Sequence, residues 1–298
     1  MSVPGTVFRK LFAKVGPTRL AHAIICAHTT RLTERLAETC RGRVLSGPFS
    51  GMVIPTGTSW GPGDRGPKLL GTYEADLHEH LNQIAASAYT DVVNIGCAEG
   101  YYAVGLARLL PSATIHAFDV SQQAGEVCKR AAKLNGVADR VIVKGMCTPQ
   151  DLEIVIARSY RPLVVLDCEG AEVALLDPAT VPSLHLSDIL VETHDCLGPG
   201  SSDILEQRLG ASHEVERIIH GARNPNGLSQ LETWTEIDLW LLVNEGRPQG
   251  MIWLFCRSKA GRSPTVAFDQ LKSLTCCGEA GEAHLYAGTE TDVRTGVL

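Results

Sequence analysis

The chain reads as an α/β protein: a Rossmann-like, seven-stranded, mostly parallel sheet flanked by helices, with helical additions at the N-terminus. Three observations predict this. Asp91 to Tyr102 is a β-branched run entering a glycine-punctuated turn and then a helical pattern. Beyond it, short apolar runs alternate with helical segments, as strands joined by crossover helices do. Several of those runs end on acids, and right-handed crossovers gather the C-terminal ends of parallel strands on one edge.

Taken in order, Phe8, Leu11, Phe12, Leu20, Ile24, Ile25, Leu32 and Leu36 recur at helical intervals, interrupted at Gly16-Pro17. They predict two or three helices within residues 1–45, packing on the main domain or on a partner subunit, a second copy included. Residues 46–72 form a Gly/Pro-rich loop; 46–68 alone hold six glycines and four prolines around Trp60, a composition suited to a lid, a partner surface or a linker. Tyr73 and Glu74 then open a helix running to about Ala88, at the start of a main domain spanning 73–258. Glu74 is either close to a bound ligand or a solvated first-turn acid favoured by the helix dipole.

Val92, Val93 and Ile95 make the first strand, nearly continuous as a doubly covered parallel strand requires. Gly96 and Gly100 bracket the turn, and a helix begins near Tyr101 with Val104, Leu106, Ala107 and Leu110 as its apolar stripe. Ala113–Phe118 is the second strand, ending at Asp119, followed by a helix from Gln122 to Asn135 stopped at Gly136. Arg140–Val143 is the third, leaving through Lys144, Gly145, Met146 and Cys147, with a helix from near Pro149. Pro162–Leu166 is the fourth, ending at Asp167-Cys168-Glu169-Gly170. Asp188–Val191 is the fifth, ending at Glu192-Thr193-His194-Asp195. A helix over Ile204–Leu209, a sixth strand over His213–Ile219, an insertion at 221–247 and a seventh, antiparallel strand over Gly250–Cys256 complete the domain. The tail, 259–298, contains Cys276-Cys277 and reads as partly disordered or docked on the domain.

Composition narrows the class. With 298 residues, 44% of them hydrophobic, the chain can bury one large α/β core plus additions. A net charge of −6 argues against a protein built on nucleic-acid backbone contacts, which need a concentrated basic face. Ten cysteines show no short-spaced zinc pattern, and reduced thiols are the simpler account. No leader-like apolar segment and no stretch of about 18 apolar residues is present. The expectation is a soluble, cytoplasmic protein with no membrane role.

The turn narrows the ligand. Gly96-x-x-x-Gly100 is neither the Gly-x-Gly-x-x-Gly of dinucleotide folds nor a phosphate loop ending in Lys-Ser/Thr. Asp119 lies about 20 residues beyond the glycines, where a strand-end carboxylate can accept from both ribose hydroxyls. A glycine turn plus a strand-end acid, without pyrophosphate features, suits S-adenosylmethionine. The segments Leu70–Glu74, Asn94–Tyr102, Asp167–Glu172 and Glu192–Asp195 together resemble class I S-adenosylmethionine-dependent methyltransferases of the FkbM-like type, over roughly residues 43–258. The resemblance implies a seven-stranded Rossmann-like sheet, cofactor over the first two strands, and methyl transfer, most often to a hydroxyl of a small molecule in a biosynthetic pathway. On this reading the cofactor is held by Tyr73, Glu74, Asn94, Gly96, Cys97, Ala98, Glu99, Gly100, Tyr101, Asp119, Met146 and Asp167. Many class I enzymes carry an acid where Asn94 stands. An amide oxygen accepts without opposing charge, so the methionine ammonium would lean on Glu99 or Glu74 instead.

For the chemistry, His194 is the first candidate base, its tautomer set by Glu192 or Asp195. Asp167 and Glu169, two apart on an extended backbone, would share a face and converge with Glu192 and His194 on one crevice. Acid–base chemistry without a metal is the preferred reading. One divalent cation held by the same four residues is the alternative, and a purely structural use of Glu169 and Glu192, on loop amides or on Arg223, is another. The insertion, with Arg223, Asn224, Trp234, Trp240, Glu245 and Arg247, suits the cover of a small-molecule pocket, although the two tryptophans read first as core anchors of one helix and only then as substrate contacts. Two rivals keep the fold but not the reaction: hydrolysis or displacement chemistry on the acidic cluster, and a non-catalytic partner in a complex.

Overall fold

Seven strands form one sheet: β1 (Asp91–Ile95), β2 (Thr114–Phe118), β3 (Val141–Lys144), β4 (Pro162–Leu166), β5 (Asp188–Glu192), β6 (His213–Ile219) and β7 (Ile252–Ser258). Their order is β3-β2-β1-β4-β5-β7-β6. β1 lies parallel between β2 and β4, with Val93 opposite His116 on one side and Val164 on the other. β7 alone runs antiparallel, wedged between β5 and β6. This Rossmann-like sheet is seen in a computed structural model that describes residues 17–56, 63–226, 233–247 and 250–260, with Leu228 and Leu231.

The period of two along each strand divides the core between the two faces of the sheet. Val92, Leu163, Val165 and Leu190 join one buried cluster. Val93, Ile95, Val164, Leu166, Ile189 and Val191 join the other. Both faces are covered, which is why these strands are apolar almost throughout.

Nine helices occur among the described residues: α1 (Pro17–Cys40), α2 (Arg65–Leu70), α3 (His78–Ala85), α4 (Tyr101–Leu109), α5 (Gln122–Leu134), α6 (Pro149–Arg158), α7 (Glu172–Leu175), α8 (Ser201–Leu209) and α9 (Glu236–Val243). The expected boundaries hold closely where caps mark them. The Ser121 hydroxyl accepts from Ala124 N at the start of α5, and Thr148 and Asp151 form a reciprocal capping box ahead of Pro149 in α6.

Three expectations need correction. The helix expected from Tyr73 begins later, because Glu74 adopts a left-handed backbone (φ 48°) and a short 3₁₀ turn, Ala75–Leu77, precedes α3. The Gly/Pro-rich segment is no plain loop: it contains α2, and Phe49, Met52 and Ile54 are buried in the core. Phe49 lies over Gly105 of α4, where an added Cβ would come within 2.6 Å of the ring, so this part of the segment packs on a helix. Trp234 and Trp240 do not anchor one helix: Trp240 is exposed on α9, while Trp234 precedes it with the Arg35 guanidinium 4.4 Å from its ring centroid.

α1 packs on α2 and α9, and His28 meets Asp238 at 2.8 Å. The N-terminal helix thus docks on the insertion of its own chain. Residues 1–16, Trp60 and the tail beyond Ala260, including Cys276-Cys277, lie outside the described residues. The described cysteines are all free thiols. No helix among the described residues is long and apolar enough to cross a membrane.

Candidate functional site

The strand order reverses between β1 and β4, and such a switch point opens a crevice at the carboxyl ends of the strands. The backbone there is strained. Of the described non-glycine residues with positive φ, Glu74, Ala98, Glu169 and His194 stand at this edge, at φ between 46° and 58°. Left-handed non-glycine residues cluster where surrounding structure over-determines a functional geometry.

On the β1–β2 side, neighbouring backbone amides satisfy the Asp119 carboxylate. It accepts from Ala98 N at 2.9 Å and from Ser121 N at 2.8 Å, which closes the glycine turn onto the end of β2 and leaves lone-pair capacity on each oxygen. Gly96 carries a constraint beyond the one its sequence context implies. At φ 80°, a Cβ there would sit 1.7 Å from the Asp167 carbonyl oxygen, so it is the close approach of the β4 exit that demands glycine. Cys97 is buried beside Cys128, and that thiol pairing, with burial, pushes its pKa far up. Tyr101 is buried, edge-on to Tyr73 at 5.3 Å. Met146 is exposed at the β3 exit, and Asn94 is buried, its Nδ2 3.4 Å from Val165 O and its Oδ1 without a hydrogen-bond partner among the described residues.

Glu99 departs from expectation. Its carboxylate is buried against Lys68 at 2.5 Å, and the same ammonium reaches Asp64 at 2.9 Å. Lys68 lies against the faces of Tyr73 and Tyr101. Burial opposes its charge, yet the Glu99 and Asp64 carboxylates hold its pKa above the usual value. Beside this pair, Glu99, Gly100 and Tyr101 line a small cavity of about 10 Å³ with Met52 and Ile54, room for about one water molecule and far below the roughly 300–1,000 Å³ of pockets for drug-sized ligands.

On the β4–β5 side, charge is gathered from distant segments. Glu74 is 1% exposed, which overturns its reading as a solvated first-turn acid. Its carboxylate accepts from Tyr102 and Arg247. Arg247 also donates to Glu192 and to the Tyr73 hydroxyl, and its Nε lies 3.2 Å from Glu245. Burial, ahead of the opposing pull of Arg247, raises Glu74 to about 7. Burial followed by the Asp167 and Glu74 charges raises Glu192 as well: three carboxylates compete for one guanidinium. The pairing of Glu192 with Arg223 is corrected too, since Arg223 instead meets Asp76 at 2.6 Å and Glu245 at 2.5 Å.

His194, Asp167, Glu169 and Glu192 do converge. His194 Nε2 lies 3.5 Å from Asp167 Oδ1, 3.5 Å from Glu169 Oε2 and 3.6 Å from Glu192 Oε2. The route differs from the extended one expected, because the chain turns left-handed at Glu169. The orienting acid differs as well: His194 Nδ1 meets Glu172 Oε1 at 2.9 Å, whereas Asp195 binds the Thr193 and Ser202 hydroxyls at 2.7 and 3.0 Å. Glu172 stays ionised despite burial, held low by His194 and by backbone amides including that of Cys168. Burial would lower the His194 pKa, but the Glu172 hydrogen bond and the Asp167 charge carry it above the ordinary value.

Glu172, Arg247 and Lys68 are the members the sequence reading misses as partners. Glu172 stands five residues past Asp167 at the first turn of α7, a spacing that a turn followed by a helix could have flagged. No local signal marks the other two.

No protein family and no curated protein matches the chain. Among solved structures it is similar to the O-methyltransferase TomG from Streptomyces achromogenes, involved in tomaymycin synthesis and bound to SAM. The TM-score is 0.43 at 14% identity, over 64% of this chain and 83% of that one. It is also similar to an O-methyltransferase from Bacillus cereus bound to SAH, with a TM-score of 0.43 at 13% identity, over 78% of this chain and 91% of that one. Likeness at this level names no activity for this chain.

Proposed function

We propose that the chain is an S-adenosylmethionine-dependent methyltransferase of the FkbM-like type, acting on a hydroxyl of a small molecule. The observation that carries the reading is the switch point itself. A glycine turn clamped to Asp119 lies on one side of it, and the cluster of Asp167, Glu169, Glu192 and His194 lies on the other. The two similar O-methyltransferases were solved with SAM or SAH, which agrees with this choice of cofactor. Asp119 would take the ribose hydroxyls on its remaining lone pairs, with Met146 beside the base. Lys68 and Arg247 already match Glu99 and Glu74, so the methionine ammonium falls to Asp167 and to the amide oxygen of Asn94.

Methyl transfer is an in-line displacement: the acceptor oxygen bonds the methyl carbon as the carbon–sulfur bond breaks, and that electron pair stays on sulfur. The hydroxyl proton must leave to a nearby base, and the acid–imidazole cluster supplies one. Calorimetric titration with S-adenosylhomocysteine tests the cofactor half. One site per chain is expected, weakened about 10- to 100-fold in Asp119→Ala through the loss of hydrogen bonds to a charged acceptor. A well-folded protein with no measurable binding would rule the function out.

A further inference from the structure

We propose that Asp167, Glu192 and His194 form a binding site for one divalent cation of the manganese type. The inference deepens the methyltransferase reading and rests on it for its purpose, though not for its test. Carboxylate oxygens of Asp167 and Glu192 and a ring nitrogen of His194 all lie within 4.8 Å of one another.

The independent observation is the direction of the imidazole. The His194 side chain is only 4% exposed, and its Nε2 sits 3.5–3.6 Å from three carboxylate oxygens, beyond the roughly 2.7–3.2 Å of an N–H···O hydrogen bond. One nitrogen of a buried ring is thus aimed among acceptors without a hydrogen bond to any of them. Such spacing is what a shared cation creates: donors about 2.0–2.2 Å from a metal lie about 3.0–3.6 Å apart along the edges of an octahedron or tetrahedron.

The other ring nitrogen completes the case. Nδ1 is held at 2.9 Å by Glu172, which is itself fixed by Cys168 N at 3.1 Å. A carboxylate on the far nitrogen sets the tautomer of metal-binding histidines and turns the lone pair of Nε2 toward the metal. Two carboxylates with one imidazole, and no thiolate, suit manganese, a cation that favours carboxylate oxygen, better than a thiolate-bound structural zinc. Glu169 is 77% exposed, outside the buried set and open to solvent. It remains free to take the acceptor's proton, while the cation polarises the hydroxyl oxygen.

The test uses the full chain, stripped with chelator and titrated with manganese chloride by calorimetry and electron paramagnetic resonance. One saturable site per chain is expected, with spin-echo modulation from an imidazole nitrogen that disappears in His194→Ala. Asp167→Asn should weaken binding at least tenfold, Glu172→Gln about 10- to 100-fold, and the surface change Asp203→Asn not at all. Circular dichroism confirms that each variant is folded. The proposal is overturned if the unsubstituted protein shows no saturable site up to millimolar manganese, the result expected if a proton on Nε2 is the only cation held there. It is equally overturned if folded His194→Ala and Asp167→Asn bind as the parent does. Titration with S-adenosylhomocysteine in excess chelator is read separately, so loss of the cofactor reading and loss of the cation site are distinguishable.

Discussion

The two sides of the switch point satisfy their acids differently. On the β1–β3 side, carboxylates are held by backbone amides of their own turns and caps: Asp119 by Ser121 N and by Ala98 N of the glycine turn, Asp151 by Thr148 N. Glu99, turned to Lys68, and Asp91, turned to His116, are exceptions. On the β4–β5 side, Glu74 and Glu192 are held by Arg247, 173 and 55 residues away, and Asp76 by Arg223, 147 residues away. The first arrangement follows from local turns and caps. The second exists only once the insertion at 221–247 has packed across the sheet edge, so its stability and its geometry depend on the completed fold.

This difference predicts unequal costs. Arg247→Met should be the most damaging change, because it leaves Glu74 and Glu192 as buried acids without their cation. Breaking a buried pair from one side costs about 3–5 kcal/mol, readable as a lower midpoint in urea unfolding, and a loss below about 1 kcal/mol would refute long-range charge as the support of this side. Gly96→Ala comes next. Left-handed strain of about 1–2 kcal/mol adds to the overlap with the Asp167 carbonyl, so a total near 3 kcal/mol is expected with weakened S-adenosylhomocysteine binding; a neutral outcome would mean that the β1 and β4 exits are not in contact.

Thr148→Ala probes the local side. Loss of one cap at the start of α6 should cost about 1 kcal/mol, and a cost matching that of Arg247→Met would erase the contrast. The smallest effect is one of pH at the far end of β6. Burial lowers the His213 pKa, where Nε2 meets Ser187 O at 3.0 Å and Nδ1 meets the Ser212 hydroxyl at 2.9 Å. The folded protein therefore favours the neutral ring. Its contribution is fully present above the unfolded value of about 6.5 and is lost as pH falls through the lower folded value. His213→Gln should flatten the stability profile below about pH 6.5; an unchanged acid slope would assign that slope to other groups.

Much of the fold was legible because its signals are local. β4 and β6 fall on their expected residues, α5 starts at its Ser121 cap and stops just before Gly136, and α6 starts at Pro149 behind its capping box. The convergence of Asp167, Glu169, Glu192 and His194 follows from topology, since parallel strands put their ends on one edge. Illegible were the partners. Nothing near Glu74 distinguishes a solvated first-turn acid from a buried one, and nothing near Arg247 or Lys68 names the acids they meet. The loop containing Phe49 looked free because its composition is that of a turn, while its few apolar residues dock on α4.

By itself the sequence determined the strands, their alternation with helices, the glycine turn and the acids at the strand ends, because periodicity and caps act within a few residues. Only the tertiary structure decided that Glu172 rather than Asp195 orients His194, and that Arg247 rather than Arg223 meets Glu192. It also decided that Gly96 answers to the Asp167 carbonyl. The physical reason is the same in each case: these contacts join groups that become neighbours only when separate elements pack, and neither propensity nor pattern encodes which buried charge will face which.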